Sequence, residues 1–231
     1  SLLAEYWAKC RNTTSTLNSD KYRIMKQRNW QCDITPAVKE LGYRPEYDLE
    51  RGVKEKVVTF LGRITFQKGP EYFIEAANKV LKRYPNVRFV MAGSGDLFNR
   101  SVRRVAQLKI ATKFHFTGFL RGDDVQKMFL HSDVYVMPSV SEPFGISPLE
   151  AMRAGVPTII SKQSGVAEVL KHSIKVDYWD VDALADAIYG LLAYPALGKM
   201  AGEEGLDEVN QLKWENAALK VEEVYKDVLG V

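Results

Sequence analysis

The chain has 231 residues, of which 46% are hydrophobic and 26% are charged, the composition of a globular protein that can bury a sizeable core. Its 32 basic and 29 acidic residues leave a net charge of +3, which argues against a dedicated nucleic-acid binder. No stretch approaches the roughly 18 consecutive apolar residues of a membrane span, and we expect a cytoplasmic protein.

Residues 1–55 differ in texture from the rest of the chain. They lack strong strand patterns and end in the turn-rich stretch LGYRPEYDLERG, which is typical of an irregular segment. The two cysteines, Cys10 and Cys32, have neither a CxxC spacing nor a histidine partner, which argues against a disulfide framework and against a zinc site. We predict an N-terminal appendage over residues 1–55 and one larger domain over residues 56–231.

From Val57 onward, short apolar runs alternate with amphipathic stretches of helical periodicity, the pattern of successive βαβ units. The apolar runs are nearly continuous, as expected for strands that are buried on both faces of a parallel sheet. The predicted strands are VVTFL, VRFVMAG, KFHFTG, VYVMPS, PTIIS and SIKVDY. The chain therefore predicts an α/β fold with a doubly wound parallel sheet of about six strands, closed by a last helix over Lys213–Leu229 that could reach another domain.

Ligands of such sheets bind beyond the carboxyl ends of the strands, and the loop after the first predicted strand is the first candidate. It holds Arg63 and Lys68 on either side of a short turn that ends in Gly69-Pro70. Pro70 suits the first position of a helix. Two cations beside a helix N-terminus can hold a diphosphate, although exposed basic residues in a loop are more often only solvated.

The loop after the fourth predicted strand carries two glutamates, Glu142 and Glu150, with seven residues between them. Pro143 keeps Glu142 out of a helix, and a carboxylate there can accept hydrogen bonds from sugar hydroxyls or stabilise positive charge at an anomeric carbon. Ser147 is the predicted N-cap of the next helix. Ser147-x-x-Glu150 then also fits a capping box, so Glu150 has either a ligand or a structural role.

The chain contains, in this order, the motifs GRITFQKG, AGSGD, TGFL, SEPFGISPLEAMRAGVPTIIS, SGVAEV and DALADAI. Together, these six motifs resemble the C-terminal domain of the group 1 retaining glycosyltransferases, which have the GT-B fold. The resemblance covers about residues 56–230 and implies that the domain is the Rossmann-like, nucleotide-sugar-binding half of that fold. It implies that Arg63 and Lys68 bind the donor diphosphate, that Glu142 contacts the sugar near the reacting centre, and that Glu150 holds the ribose hydroxyls.

The same resemblance implies further donor contacts in the loops. Backbone amides of Phe144, Gly145 and Ile146 would face the sugar and the phosphate. Near the ribose and the base would lie Gly93, Gly95, Phe119 and Leu120. We expect no cofactor besides the donor and no metal, because the D-x-D string Asp180-Val181-Asp182 opens a helix, where acidic residues suit the helix dipole.

The chain departs from the family in one respect. A complete enzyme of this kind has an N-terminal domain that holds the acceptor, and residues 1–55 instead resemble the C-terminal tail of extended short-chain dehydrogenases of the sugar-nucleotide epimerase type, through LNSDKYRIMKQRNWQCDITPAVKELGYRPEYDLERGVKE. We expect the missing domain to be the partner of this fragment, with weak nucleotide binding and little or no transfer by the fragment alone. Peripheral membrane contact through that domain stays open.

Three alternative functions share features with this sequence. A nicotinamide-dependent oxidoreductase requires G-x-G-x-x-G, and Phe98 stands at the third glycine position after Gly93 and Gly95, so that fingerprint fails. A non-catalytic nucleotide-sugar-binding or assembly module, and a part of an epimerase–transferase fusion, both remain open. The sequence does not distinguish between UDP, GDP and ADP sugars, and it leaves the acceptor and the oligomeric state open.

Overall fold

The computed structural model describes residues 55–229, with the side chains of Trp214, Asn216 and Ala217 left aside. The predicted N-terminal appendage and both cysteines lie outside the described residues, and the predicted boundary near residue 55 stays a prediction. The strands are β1 Lys56–Leu61, β2 Val87–Ala92, β3 Phe114–Gly118, β4 Val134–Met137, β5 Thr158–Ser161 and β6 Ile174–Val176. The α-helices are α1 Pro70–Arg83, α2 Phe98–Gln107, α3 Asp123–Leu130, α4 Ser147–Arg153, α5 Val166–Val169, α6 Val181–Ala193, α7 Pro195–Gln211 and α8 Trp214–Leu229.

The six strands form one parallel sheet in the order β3-β2-β1-β4-β5-β6, which confirms the predicted doubly wound sheet. Lys56 to Leu61 of β1 pair in register with Val87 to Ala92 of β2, and Val58 pairs with Val134 of β4 on the other side. The strand order reverses between β1 and β4. Loops that follow these two strands therefore flank the crevice in which open α/β sheets bind ligands.

The two faces of the sheet pack against two separate cores, and alternate residues of the central strands enter one core or the other. Val134 and Val136 of β4 belong to a core shared with α1, α2 and α6. Tyr135 and Met137 belong to a second core shared with α3, α4 and α5. Burial on both faces explains the continuous apolar strands of the sequence.

Two helix starts behave as predicted. Pro70 begins α1 directly after Gly69, which has a φ of 66°. The Asp180 carboxylate accepts a hydrogen bond of 2.9 Å from the Ala183 amide at the start of α6, and Asp182 pairs with Lys79. The acidic residues of the D-x-D string thus have roles in capping and in a surface ion pair.

The last helix, α8, begins one residue later than predicted and presents exposed apolar side chains, including Val221, Val224 and Tyr225. No helix within residues 55–229 is long and apolar enough to cross a bilayer.

Candidate functional site

The loops after β1 and β4 are joined at the point where the strand order reverses. The Val140 amide donates a hydrogen bond of 2.8 Å to the Gln67 carbonyl. Gly69 packs so closely against the other loop that a Cβ there would lie 2.1 Å from the Pro138 carbonyl oxygen. The main chain thereby fixes the loop that carries Arg63 and Lys68 against the loop that carries Glu142.

The central contact between these loops is an ion pair between Lys68 Nζ and a carboxylate oxygen of Glu142. Its side chains are only 18% and 11% exposed, respectively. The Glu142 main chain is also held, since its carbonyl accepts from the Gly165 amide at 2.9 Å and it forms a parallel bridge with Ser164. Two residues 74 positions apart in sequence thus form one charged centre with little freedom to move.

Gly145 lies close to this pair and has a φ of 101°, a conformation that favours glycine. A Cβ at this position would lie 3.1 Å from Cγ of Glu142 and 3.1 Å from Cε of Met137. A side chain at position 145 would therefore be in close contact with the Glu142 side chain. Phe144 and Ile146 on either side are exposed.

The predicted capping role of Ser147 is wrong. Ile146 is the N-cap of α4, and no side chain caps this helix. The Ser147 hydroxyl instead accepts a hydrogen bond of 2.8 Å from the phenol of Tyr135. Tyr135 is fully buried, and burial raises the pKa of its phenol, although the hydrogen bond with Ser147 lowers that pKa. Since the capping box is absent, it no longer explains Glu150, which is exposed.

A cleft of about 930 Å³ opens where β1, β2 and β3 end. The cleft brings together some of the predicted residues and leaves others outside its lining. Those that line it are Arg63, Gly93, Phe119, Leu120 and Glu150. The predicted residues outside the lining are Lys68, Gly95, Glu142, Phe144, Gly145 and Ile146. Most of them belong to the contact between the loops after β1 and β4.

The floor of the cleft depends on close contact between the loops after β1 and β2. A Cβ on Gly93, whose φ is 139°, would lie 1.9 Å from the carbonyl oxygen of Gly62. Gly95 is also closely packed, with the Ile64 carbonyl oxygen 2.4 Å from where its Cβ would be. These two glycines therefore have a packing role that does not depend on any ligand.

The cleft also contains polar side chains that sequence reasoning missed, namely Asp123, Gln126 and Arg153. Helical spacing could have indicated them. Arg153 follows Glu150 by three residues on α4, and Gln126 follows Asp123 by three residues on α3, which places the members of each pair on one side of their helix.

One basic residue of the site, Arg63, is free to bind an anion. Arg63 is exposed, and within residues 55–229 its side chain has neither an ion pair nor a hydrogen bond. Its guanidinium can therefore make a bidentate contact with a phosphate. The ring of Phe119 is 64% exposed, and the guanidinium of Arg121 lies 5.1 Å from its centroid. The cleft thus combines a cation, a carboxylate and an aromatic surface.

The model of the family "Glycosyl transferases group 1" matches residues 47–207. An uncharacterized glycosyltransferase of Methanocaldococcus jannaschii, MJ1607, is 35% identical over 209 residues, which cover 85% of this chain and 51% of that protein. The chain thus spans about half the length of this relative.

Two solved structures share the fold. The C-terminal domain of the group 1 glycosyl transferase LpcC from Francisella tularensis has a TM-score of 0.65 and 24% identity over 74% of this chain and 94% of that one. Anabaena Alr3699/HepE in complex with UDP and glucose has a TM-score of 0.67 and 20% identity over 77% of this chain and 50% of that one.

Proposed function

Because the chain belongs to the group 1 glycosyl transferases, we propose that its described domain binds the nucleotide diphosphate sugar donor of a retaining sugar transfer. The observation that carries the proposal is the arrangement of four charged residues around the loops after β1 and β4. Arg63 and Glu150 line one cleft, and Lys68 and Glu142 form an ion pair beside it.

In the proposed complex, Arg63 and Lys68 hold the diphosphate and Glu150 accepts hydrogen bonds from the ribose hydroxyls. Support for this orientation comes from α4, whose N-terminus lies at the loop with Glu142 and whose first turn carries Glu150. The positive end of a helix dipole favours phosphate. The nucleoside would then extend along α4, away from the loop, into the cleft.

The proposed chemistry breaks the bond between the anomeric carbon and the diphosphate. Negative charge builds up on the leaving diphosphate, and fixed cations stabilise that charge more in the transition state than in the ground state. Glu142 would face the anomeric carbon, where positive charge develops. The cations take the neutralising role that a metal ion has in other transferases, so the proposed reaction needs no metal and no further cofactor.

We propose that transfer requires a second lobe opposite this cleft. The acceptor has to be positioned and water excluded, and one open wall can do neither. The match with this chain covers 51% of the MJ1607 relative, which is consistent with such a lobe in a whole protein of this type. The expected property of this chain is donor binding with little or no transfer, and peripheral membrane contact would be a property of the other lobe.

The test is isothermal titration of UDP, GDP and ADP into the full chain. Saturable binding of a nucleotide that is lost in the double variant Arg63→Ala, Lys68→Ala would support the donor site. A control variant, Lys82→Ala with Lys199→Ala, removes the same charge from exposed positions on α1 and α7 and should bind as the natural chain does. Absence of binding at millimolar nucleotide, or equal loss in both double variants, would contradict the proposal.

A further inference from the structure

We propose that Asp123 and Arg153 select guanine in the nucleotide cleft, so that the donor is a GDP sugar. This inference rests on the proposed function, because it takes Glu150 as the ribose-binding residue. It adds an assignment of the base and of the two side chains that recognise it.

Glu150 and Arg153 lie on the same side of α4. Arg153 lies three residues beyond Glu150, which corresponds to an axial rise of about 4.5 Å on the same side of the helix. Both side chains line the cleft. If Glu150 binds the ribose, a nucleoside that runs along this helix brings its base to Arg153.

The start of α3 and the loop before it also line the cleft. Asp123, in the first turn of α3, and Phe119, in the loop before it, line the same space. The exposed ring of Phe119 offers a surface on which a base can stack. A base in the cleft would therefore meet a carboxylate from α3 and a guanidinium from α4.

The carboxylate of Asp123 and the guanidinium of Arg153 are both free to contact a ligand. Within the described part of the chain, neither the Asp123 carboxylate nor the Arg153 guanidinium has an ion pair or a hydrogen bond, and both residues are exposed. The neighbouring Asp124 differs, since its carboxylate accepts a 3.3 Å hydrogen bond from Lys127 on the same helix. Asp124 does not line the cleft, which makes it a matched control.

The hydrogen-bonding groups of each base decide which base fits these two side chains. An ionised carboxylate only accepts hydrogen bonds and a guanidinium only donates them. Guanine offers two adjacent donors, N1–H and the 2-amino group, on one edge, and two adjacent acceptors, O6 and N7, on another. It is therefore the base that can bind both side chains in a bidentate manner.

Uracil and adenine fit this pair less well. The single N3–H donor of uracil lies between two carbonyl oxygens, which would repel a carboxylate. Adenine has its 6-amino donor next to N7, so a guanidinium that approaches N7 meets that donor. Each of these bases leaves one of the two charged groups without a full set of partners.

The experiment is titration of the full chain with GDP, IDP, UDP and ADP. We expect GDP to bind at least about tenfold more tightly than UDP or ADP, the discrimination typical of one bidentate contact. IDP lacks the 2-amino group and should bind about tenfold more weakly than GDP. Asp123→Asn should remove most of this difference between GDP and IDP, whereas Asp124→Asn should leave it unchanged.

Arg153→Gln tests the second side chain. It should weaken the binding of GDP about tenfold and change the binding of UDP little. Tighter binding of UDP or ADP than of GDP, still dependent on Arg63 and Lys68, would overturn the guanine assignment and leave the proposed function intact. GDP preference that survives both Asp123→Asn and Arg153→Gln would overturn the assignment of these residues. Failure of every nucleotide to bind would overturn the proposed function and this inference together.

Discussion

Replacing Lys68 by Met leaves the Glu142 carboxylate, only 11% exposed, without its cation. An unpaired charged group with so little solvent contact costs about 1 to 3 kcal/mol, less than the penalty for a fully buried ion. We expect the free energy of unfolding of Lys68→Met to fall by this amount. Glu142→Gln should cost less, because the longer lysine side chain can turn toward water.

The same two substitutions should differ in their effect on the affinity for a nucleoside diphosphate. Lys68→Met removes a charge-assisted hydrogen bond to phosphate worth about 1.5 to 3 kcal/mol, so the dissociation constant should rise about 10- to 100-fold. Glu142→Gln removes a negative charge next to the diphosphate and should leave binding equal or make it tighter. Both variants should therefore lose stability, but only Lys68→Met should lose affinity.

The assay combines urea unfolding, followed by fluorescence, with titration of a nucleoside diphosphate and the matching monophosphate. The double variant completes a cycle in which we expect a coupling of about 1 kcal/mol in stability. Lys82→Met, at an exposed position on α1, controls for the loss of one positive charge. If Lys68→Met and Glu142→Gln both weaken binding in proportion to lost stability, the pair is structural and Lys68 does not bind the diphosphate.

Gly93→Ala should lower the free energy of unfolding by about 3 kcal/mol or more, because its Cβ would lie 1.9 Å from the carbonyl oxygen of Gly62. Gly118→Ala is the control, with a φ of 73° and open space around its Cβ, and should cost only about 1 kcal/mol; equal losses in urea unfolding would contradict the close-contact argument. Tyr135→Phe removes the 2.8 Å hydrogen bond with Ser147 and should cost about 1 to 2 kcal/mol in thermal unfolding. An unchanged melting temperature would show that this buried hydroxyl does not stabilise the start of α4.

Much of the fold could be predicted because the sheet is buried on both faces. Continuous apolar runs such as VVTFL and PTIIS have little alternative to a central strand, and the structure places β1 and β5 within a residue of them. Pro70 and Asp180 marked helix starts through local chemistry, a fixed φ and a side-chain cap. Local rules work where the deciding interaction is within a few residues.

The same local rule failed at Ser147. Its spacing from Glu150 fits a capping box, yet its hydroxyl is bonded to Tyr135, twelve residues earlier. A strand residue buried beneath the helix needed a partner for its phenol, and a buried polar group without a partner costs more than a missing cap. The local sequence pattern does not indicate that the Tyr135 phenol competes for the Ser147 hydroxyl.

By itself, the sequence determined the α/β class, the strands, the helix starts at Pro70 and Asp180, and the loops that carry the four charged residues of the site. Only the tertiary structure decided that Lys68 pairs with Glu142, and that Asp123 and Arg153 share one cleft with Arg63 and Glu150. The physical reason is that strand and helix patterns depend on burial and hydrogen bonds along the chain. Contacts between loops depend on the order of the strands in the sheet, which brings together residues tens of positions apart.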